Sequence, residues 1–121
     1  MLNPIRSFQA DLSAIIARNA SREALLAFRD VGDRRWSYGD LGGLIERAWA
    51  LYRAHGLGAG GRIVALLPNT PETLVLFFAA LAGGLTYAPL ACTATEAELE
   101  SWLGVVRPEL GLVSDLTAPA L

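Results

Sequence analysis

A chain of 121 residues has room for one domain and can bury roughly two-thirds of its unfolded surface. Its ten basic residues, all arginine, are interspersed with twelve acidic ones for a net charge of −2, which excludes the basic stripe that nucleic acid requires. With no lysine there is no amine nucleophile or lysine phosphate clamp, and the single cysteine, Cys92, excludes an intrachain disulfide and a cysteine-rich zinc site.

Hydrophobic residues make up 53% and mean hydropathy is +0.37, rich for a soluble protein of this size. Either the core is unusually apolar or some apolar surface belongs against a partner. Residues 1–12 lack the apolar core of a signal peptide, and the scarcity of cysteine fits a reducing cytoplasm. Residues 73–92 carry no charge over twenty positions, long enough to span a bilayer. Gly83-Gly84 in the middle and Pro89 near the end argue instead for a helix followed by a buried strand.

Ser7 is placed to cap a first helix, whose Phe8, Leu12, Ile15 and Ile16 share a face and which Asn19-Ala20-Ser21 ends. Residues 23–29 read as a strand, 30–33 as a turn and 34–37 as the returning strand of a β-hairpin. Ser37 and Asp40 then form a helix start, and Leu41, Leu44, Ile45, Ala48 and Tyr52 keep helical spacing as far as His55-Gly56. Gly42 and Gly43 weaken that helix by about 1 kcal/mol each, and close packing against a neighbouring element is the expected compensation.

Residues 63–67 are a continuous apolar run, as in a parallel strand covered on both faces. Pro68-Asn69-Thr70-Pro71 turns the chain, with Thr70 as N-cap and Pro71 at the first helical position. Leu74, Phe77, Phe78 and Leu81 make one face of the next helix. Val75 and Leu76 make its other side apolar too, so it should be buried nearly all round until Gly83-Gly84 stops it. A strand over 85–90 and a loop over 91–94 follow. Thr95 with Glu98 opens a third helix, with Leu99, Trp102, Leu103 and Val106 on one face, and Pro108 prevents its continuation. A short strand is predicted over 110–114, and 115–121 has no clear element. The predicted fold is α/β: a partial parallel sheet with β-α-β crossovers flanked by helices, preceded by an N-terminal helix and a β-hairpin.

Single residues have plain structural explanations. His55 stands at a helix C-terminus, where it suits the dipole, and no second histidine or cysteine stands at relay or metal spacing. Cys92 is expected to be a buried or half-exposed inert thiol. Glu96, Glu98 and Glu100 favour the start of a helix, and Trp36, Trp49 and Trp102 are expected in core or interface packing. Loops beyond the carboxyl ends of parallel strands are where open α/β sheets bind ligands. That makes Asn69, Thr70 and Glu72 after one strand, and Cys92 and Thr93 after the next, the candidate cleft-lining residues, although turn and cap chemistry explains the same residues.

The order of these features resembles the N-terminal end of the adenylate-forming (AMP-binding) superfamily, which includes acyl-CoA synthetases, aryl-CoA ligases and peptide-synthetase adenylation domains. Trp36-Ser37-Tyr38-Gly39-Asp40-Leu41 is similar to the family's helix entry, and residues 58–67 are similar to its glycine-led strand, with Gly61 where aspartate is commonest. Pro68-Asn69-Thr70-Pro71-Glu72 resembles its P-N-S-P-E turn, residues 83–90 its G-A-V-Y-V-P-L strand, and Thr95 to Leu99 its next helix start. The resemblance covers roughly residues 8–115.

The resemblance implies a complete enzyme that joins a carboxylate to AMP, releases pyrophosphate and passes the acyl group to a thiol, with ATP, Mg and CoA as its cofactors. It implies none of these cofactors for this chain. The family's Ser/Thr/Gly-rich phosphate loop, acidic ribose motif and C-terminal-domain lysine have no counterpart here. The glycines of residues 56–61 precede a strand, so they lack the helix N-terminus of a phosphate cradle. Residues 1–121 are therefore expected to be one domain and an N-terminal piece of a cytoplasmic ligase, not catalytic by itself. Its partner would be the missing C-terminal part or a homodimer mate covering apolar surface, with no nucleic acid and no membrane span. The alternative is a standalone, non-catalytic α/β binding or dimerisation module derived from that scaffold. A flavodoxin-type nucleotide binder fits less well, because the PNTP turn carries two prolines and no glycine.

Overall fold

The computed structural model describes residues 4–24 and 35–114, and their side chains from residue 11 to 22 and from 35 onward. Helix α1 spans Pro4–Arg18. It starts before the predicted cap, so Ser7 lies inside the helix; a first-turn proline needs no N–H and costs the helix nothing. Leu12 and Ile16 reach the core, whereas Ile15 is 42% exposed, because neighbouring positions on a helix diverge by about 100°. Phe8 lies outside the described side chains. Asn19 ends the helix by donating from Nδ2 to the Ile15 carbonyl at 2.8 Å.

Strand β1 (Glu23–Ala24) pairs antiparallel with β2 (Trp36–Ser37), matching Glu23 with Ser37 and Ala24 with Trp36. These are the closing ends of the predicted hairpin; residues 25–34 lie outside the described ones. Helix α2 (Tyr38–Ala54) opens with a reciprocal capping box. Ser37 Oγ accepts from Asp40 N–H and Asp40 Oδ2 accepts from Ser37 N–H, both at 3.0 Å. It ends in a Schellman motif: Gly56 takes φ +78°, Gly56 N–H bonds the Arg53 carbonyl and Leu57 N–H bonds the Tyr52 carbonyl. The two hydrophobic residues of that motif, Tyr52 and Leu57, are both buried.

Strand β3 (Arg62–Leu66), helix α3 (Pro71–Ala82), strand β4 (Thr86–Pro89), helix α4 (Glu96–Val106) and strand β5 (Leu110–Val113) complete the described chain. The three strands form a parallel sheet in the order β4-β3-β5, with Ile63 opposite both Tyr87 and Leu110. β3 is central, and Ile63, Val64, Ala65 and Leu66 are at most 2% exposed, which explains the unbroken apolar run. The steps β3 to β4 and β4 to β5 run in opposite directions across the sheet. Right-handed crossovers therefore put α3 and α4 on opposite faces.

On the first face α3 packs against α2 and α1, and Ile63, Tyr87, Leu110 and Leu112 join their core. The deepest side of α3 is Val75, Ala79 and Ala80, while Leu74, Phe77, Phe78 and Leu81 on the face read from the sequence are half-buried. The small alanines let neighbouring elements approach the helix closely, so they occupy the tightest contact. From residue 73 to 82 no position is exposed, so burial all round is observed. The two glycines of α2 differ. A Cβ on Gly42 would stand 2.8 Å from Ile16 Cγ2, whereas one on Gly43 would meet nothing within 4 Å, so close packing compensates only the first.

Helix α3 also closes with a Schellman motif, with Gly84 at φ +73° and a buried Leu85 whose N–H reaches the Ala80 carbonyl. In α4 the Thr95 hydroxyl accepts from Glu98 N–H and also donates to Glu98 Oε1, both at 3.2 Å. Arg107 caps α4 in the left-handed region, at φ 51°, ahead of Pro108.

Candidate ligand cleft at the carboxyl edge of the sheet

The loops after β3 and β4 leave adjacent parallel strands at the same edge, tied together by Leu90 N–H bonding the Ala65 carbonyl at 2.8 Å. Between them lies a cleft of about 180 Å³, whose lining includes Asn69, Thr73, Leu74, Phe77, Tyr87 and Leu90. Of the five residues expected there, only Asn69 lines it. Thr70 is the N-cap of α3, and Glu72 sits exposed in that helix's first turn. Cys92 and Thr93 are exposed in the following loop, so the Cys92 thiol, expected to be buried or half-exposed, lies more open than that: the loop carries it off the sheet edge into solvent.

The polar groups of the PNTP turn are consumed internally. Thr73 Oγ1 donates its one proton to the Pro68 carbonyl at 2.7 Å. The 3.2 Å contact between the two hydroxyls must then use the Thr70 proton, while Thr70 Oγ1 accepts from Thr73 N–H at 3.4 Å. Neither hydroxyl keeps a proton for a ligand, which leaves the exposed Asn69 carboxamide as the free polar end of an otherwise apolar slot.

At the other end of the slot, Tyr87 packs edge-on to Phe77, with ring centroids 5.4 Å apart. Burial pushes the Tyr87 phenol up from its ordinary pKa. Its hydroxyl is buried and finds no protein hydrogen-bond partner. Tyr52 donates to the Leu76 carbonyl at 2.7 Å, and its phenol is pushed far above the ordinary range, first by burial and then by Tyr87. Both phenols therefore stay neutral at physiological pH. The cleft is lined mainly by apolar side chains, with the Asn69 carboxamide exposed at it. Sequence reasoning misses Thr73, Leu74, Phe77, Tyr87 and Leu90 because their types suit a core or a cap equally well; the register of Tyr87 beside Ile63 is a tertiary fact.

The family model for AMP-binding enzymes matches residues 12–120. The chain belongs to the AMP-binding enzymes. It carries the N-terminal portion of an acyl-CoA-synthetase-like, adenylate-forming scaffold. An acetoacetyl-coenzyme A synthetase of Rhizobium meliloti (strain 1021) is 31% identical over 103 residues, which are 84% of this chain and 16% of that protein. A benzoate CoA ligase from Burkholderia xenovorans LB400 shares the fold with a TM-score of 0.82 at 22% identity, over 94% of this chain and 22% of that one. The N-terminal domain of FACL13 from Mycobacterium tuberculosis does so with a TM-score of 0.79 at 21% identity, over 98% of this chain and 29% of that one. The AMP-binding chain described here thus spans about a sixth of its curated relative and less than a third of these solved structures.

There is no lysine, the hydroxyls of the PNTP turn are taken, and no group of three histidine, cysteine or carboxylate side chains among the described residues could hold a metal ion. Nor is any helix among the described residues long and apolar enough to cross a membrane.

Proposed function

We propose that this chain supplies one sheet layer of a cytoplasmic, ATP-dependent ligase and does not catalyse by itself. The complete enzyme activates a carboxylate as acyl-AMP, releases pyrophosphate and transfers the acyl group to a thiol, coenzyme A, using ATP and Mg bound by residues outside this chain. Residues 1–121 act as one structural unit in it. The match of residues 12–120 to AMP-binding enzymes carries this reading. A cleft lined mainly by apolar side chains and a chain without lysine support its inactive part. In the complete enzyme the cleft at Asn69, with Thr70 and Glu72 beside it and Cys92 and Thr93 on the next loop, borders the ligand-bearing edge of the sheet.

The test has two parts. The purified chain is assayed for ATP–pyrophosphate exchange with acetoacetate, benzoate and fatty acids; no exchange is expected, and robust exchange would overturn the inactive assignment. The coding sequence after Leu121 is read for a Ser/Thr/Gly-rich loop ending in lysine, and a continuation without one sinks the ligase assignment. A standalone docking or dimerising module is favoured by one observation, the 80% exposure of Val105. That reading requires a natural stop near residue 121.

A further inference from the structure

Helices α1, α2 and α3 meet around a pocket of about 430 Å³, which shares no described lining residue with the cleft at Asn69. Small-molecule sites ordinarily fall between about 300 and about 1,000 Å³. Here α1 contributes Leu12 and Ile16, α2 contributes Ile45 and Trp49, and α3 contributes Ala79 and Ala82. Ile45 is 8% exposed and Ala79 is fully buried, so they form the base. Ser13 of α1 and Glu46 of α2 also line the pocket and are exposed, so they stand at its mouth. The hollow cannot close by drawing α1 onto α2, because a Cβ on Gly42 would already lie 2.8 Å from Ile16 Cγ2. The small side chains of Ala17, Ala79 and Ala82 leave the space between the three helices unfilled.

The polar groups of this pocket suit one sign of charge. Glu46 is the one ionisable side chain among its described lining residues, and its carboxylate makes no ion pair among the described residues. It precedes Trp49 by three positions, so carboxylate and indole share a face of α2. The Arg53 guanidinium lies over the same indole, 5.6 Å from the ring centroid. The indole therefore offers the pocket apolar contact, and selection by charge falls to Glu46. Ser13 adds a hydroxyl that can accept from an N–H. We infer that this pocket is a binding site for a small organic ammonium ion, with an aryl or branched alkyl body among Ile16, Ile45 and Trp49 and a protonated amine at the mouth, where Glu46 and Ser13 stand. The site is independent of the ligase reading given above, whose tests do not touch it.

The 121-residue chain, isotope-labelled for NMR, is titrated with phenethylammonium, phenethyl alcohol and phenylpropionate. The Trp49 indole N–H resonance, assigned by its loss in Trp49→Phe, reports occupancy of the pocket. Phenethylammonium should shift it saturably with a Kd of about 1–10 mM. The alcohol should bind about threefold more weakly, and the carboxylate more weakly still. Glu46→Gln, a nearly isosteric change at an exposed position, should remove that preference. Ammonium binding then falls about threefold, while alcohol binding changes by less than about 1.5-fold. Ala17→Phe, at an exposed position of α1, should fill the pocket and abolish the shift with all three probes while native circular dichroism persists. No saturable shift, equal affinity for the three probes, or a Glu46→Gln chain that still prefers the ammonium overturns the inference. So does a shift that Ala17→Phe leaves unchanged, because the probe then sits outside the pocket. The ligase reading fails separately, on the coding sequence after Leu121, so the two failures are distinguishable.

Discussion

Gly83→Ala places a methyl group inside the Trp49 indole. An ideal Cβ there would overlap Cζ3 and Cη2 of the ring, with Cε3 close behind. A left-handed backbone is not involved, since Gly83 sits at φ −86° and ψ −1°, where alanine is allowed. Without the tryptophan, the substitution should stabilise by about 0.4–1 kcal/mol through the unfolded chain. With it, so deep an overlap puts the overpacking cost at about 2–3 kcal/mol, so the net loss is about 1–2.6 kcal/mol. For a chain of this size that corresponds to roughly 4–10 °C in Tm. Urea unfolding followed by far-ultraviolet circular dichroism measures it without relying on tryptophan fluorescence. In a Trp49→Leu background the same Gly83→Ala change should be neutral or stabilising, a coupling of at least about 1 kcal/mol. A Gly83→Ala protein as stable as the parent, or a loss as large in the Trp49→Leu background as in the parent, refutes the contact as the reason for glycine.

Gly43→Ala, where an added methyl meets nothing within 4 Å, should raise stability by about 1 kcal/mol, and Gly42→Ala should not, because its methyl presses on Ile16. Equal gains at the two sites in urea denaturation would contradict the α1–α2 packing. Ser37→Ala removes half of the capping box and should cost about 1 kcal/mol, with Ser37→Gly costing only a few tenths; a neutral alanine variant would show that the box contributes nothing. Alkaline pH should destabilise the fold. The folded pKa values of Tyr52 and Tyr87 are raised above the ordinary 10.0, so their contribution is whole below that pH. Above it the unfolded chain releases protons that the folded chain keeps, and stability falls as pH rises. Phenolate absorbance from these two residues should therefore emerge together with unfolding, and full phenolate absorbance in a chain that still shows native circular dichroism would refute it.

Structure that depends on near neighbours is legible in the sequence alone. The caps at Ser37, Thr70 and Thr95 and the glycine stops at Gly56 and Gly84 depend on hydrogen bonds within five residues, so the responsible side chains stand next to one another in the sequence. The apolar run of β3 announces burial on both faces, and the ordered turn and strand motifs announce the AMP-binding family that the match to residues 12–120 establishes. The sequence places the start of the first helix too late, because the Ser7 hydroxyl suits a cap while Pro4 is tolerated in a first turn without marking one. What only the tertiary structure decides depends on distant pairs. The order β4-β3-β5 brings Ile63 beside both Tyr87 and Leu110. Contacts across α2 and α3 set Trp49 on Gly83 and Tyr52 on the Leu76 carbonyl 24 residues away. A helix that is apolar all round does not say which side is deepest. That is settled by the elements packed around it, and they chose the alanines of α3 and left Leu74 and Phe77 to line the cleft.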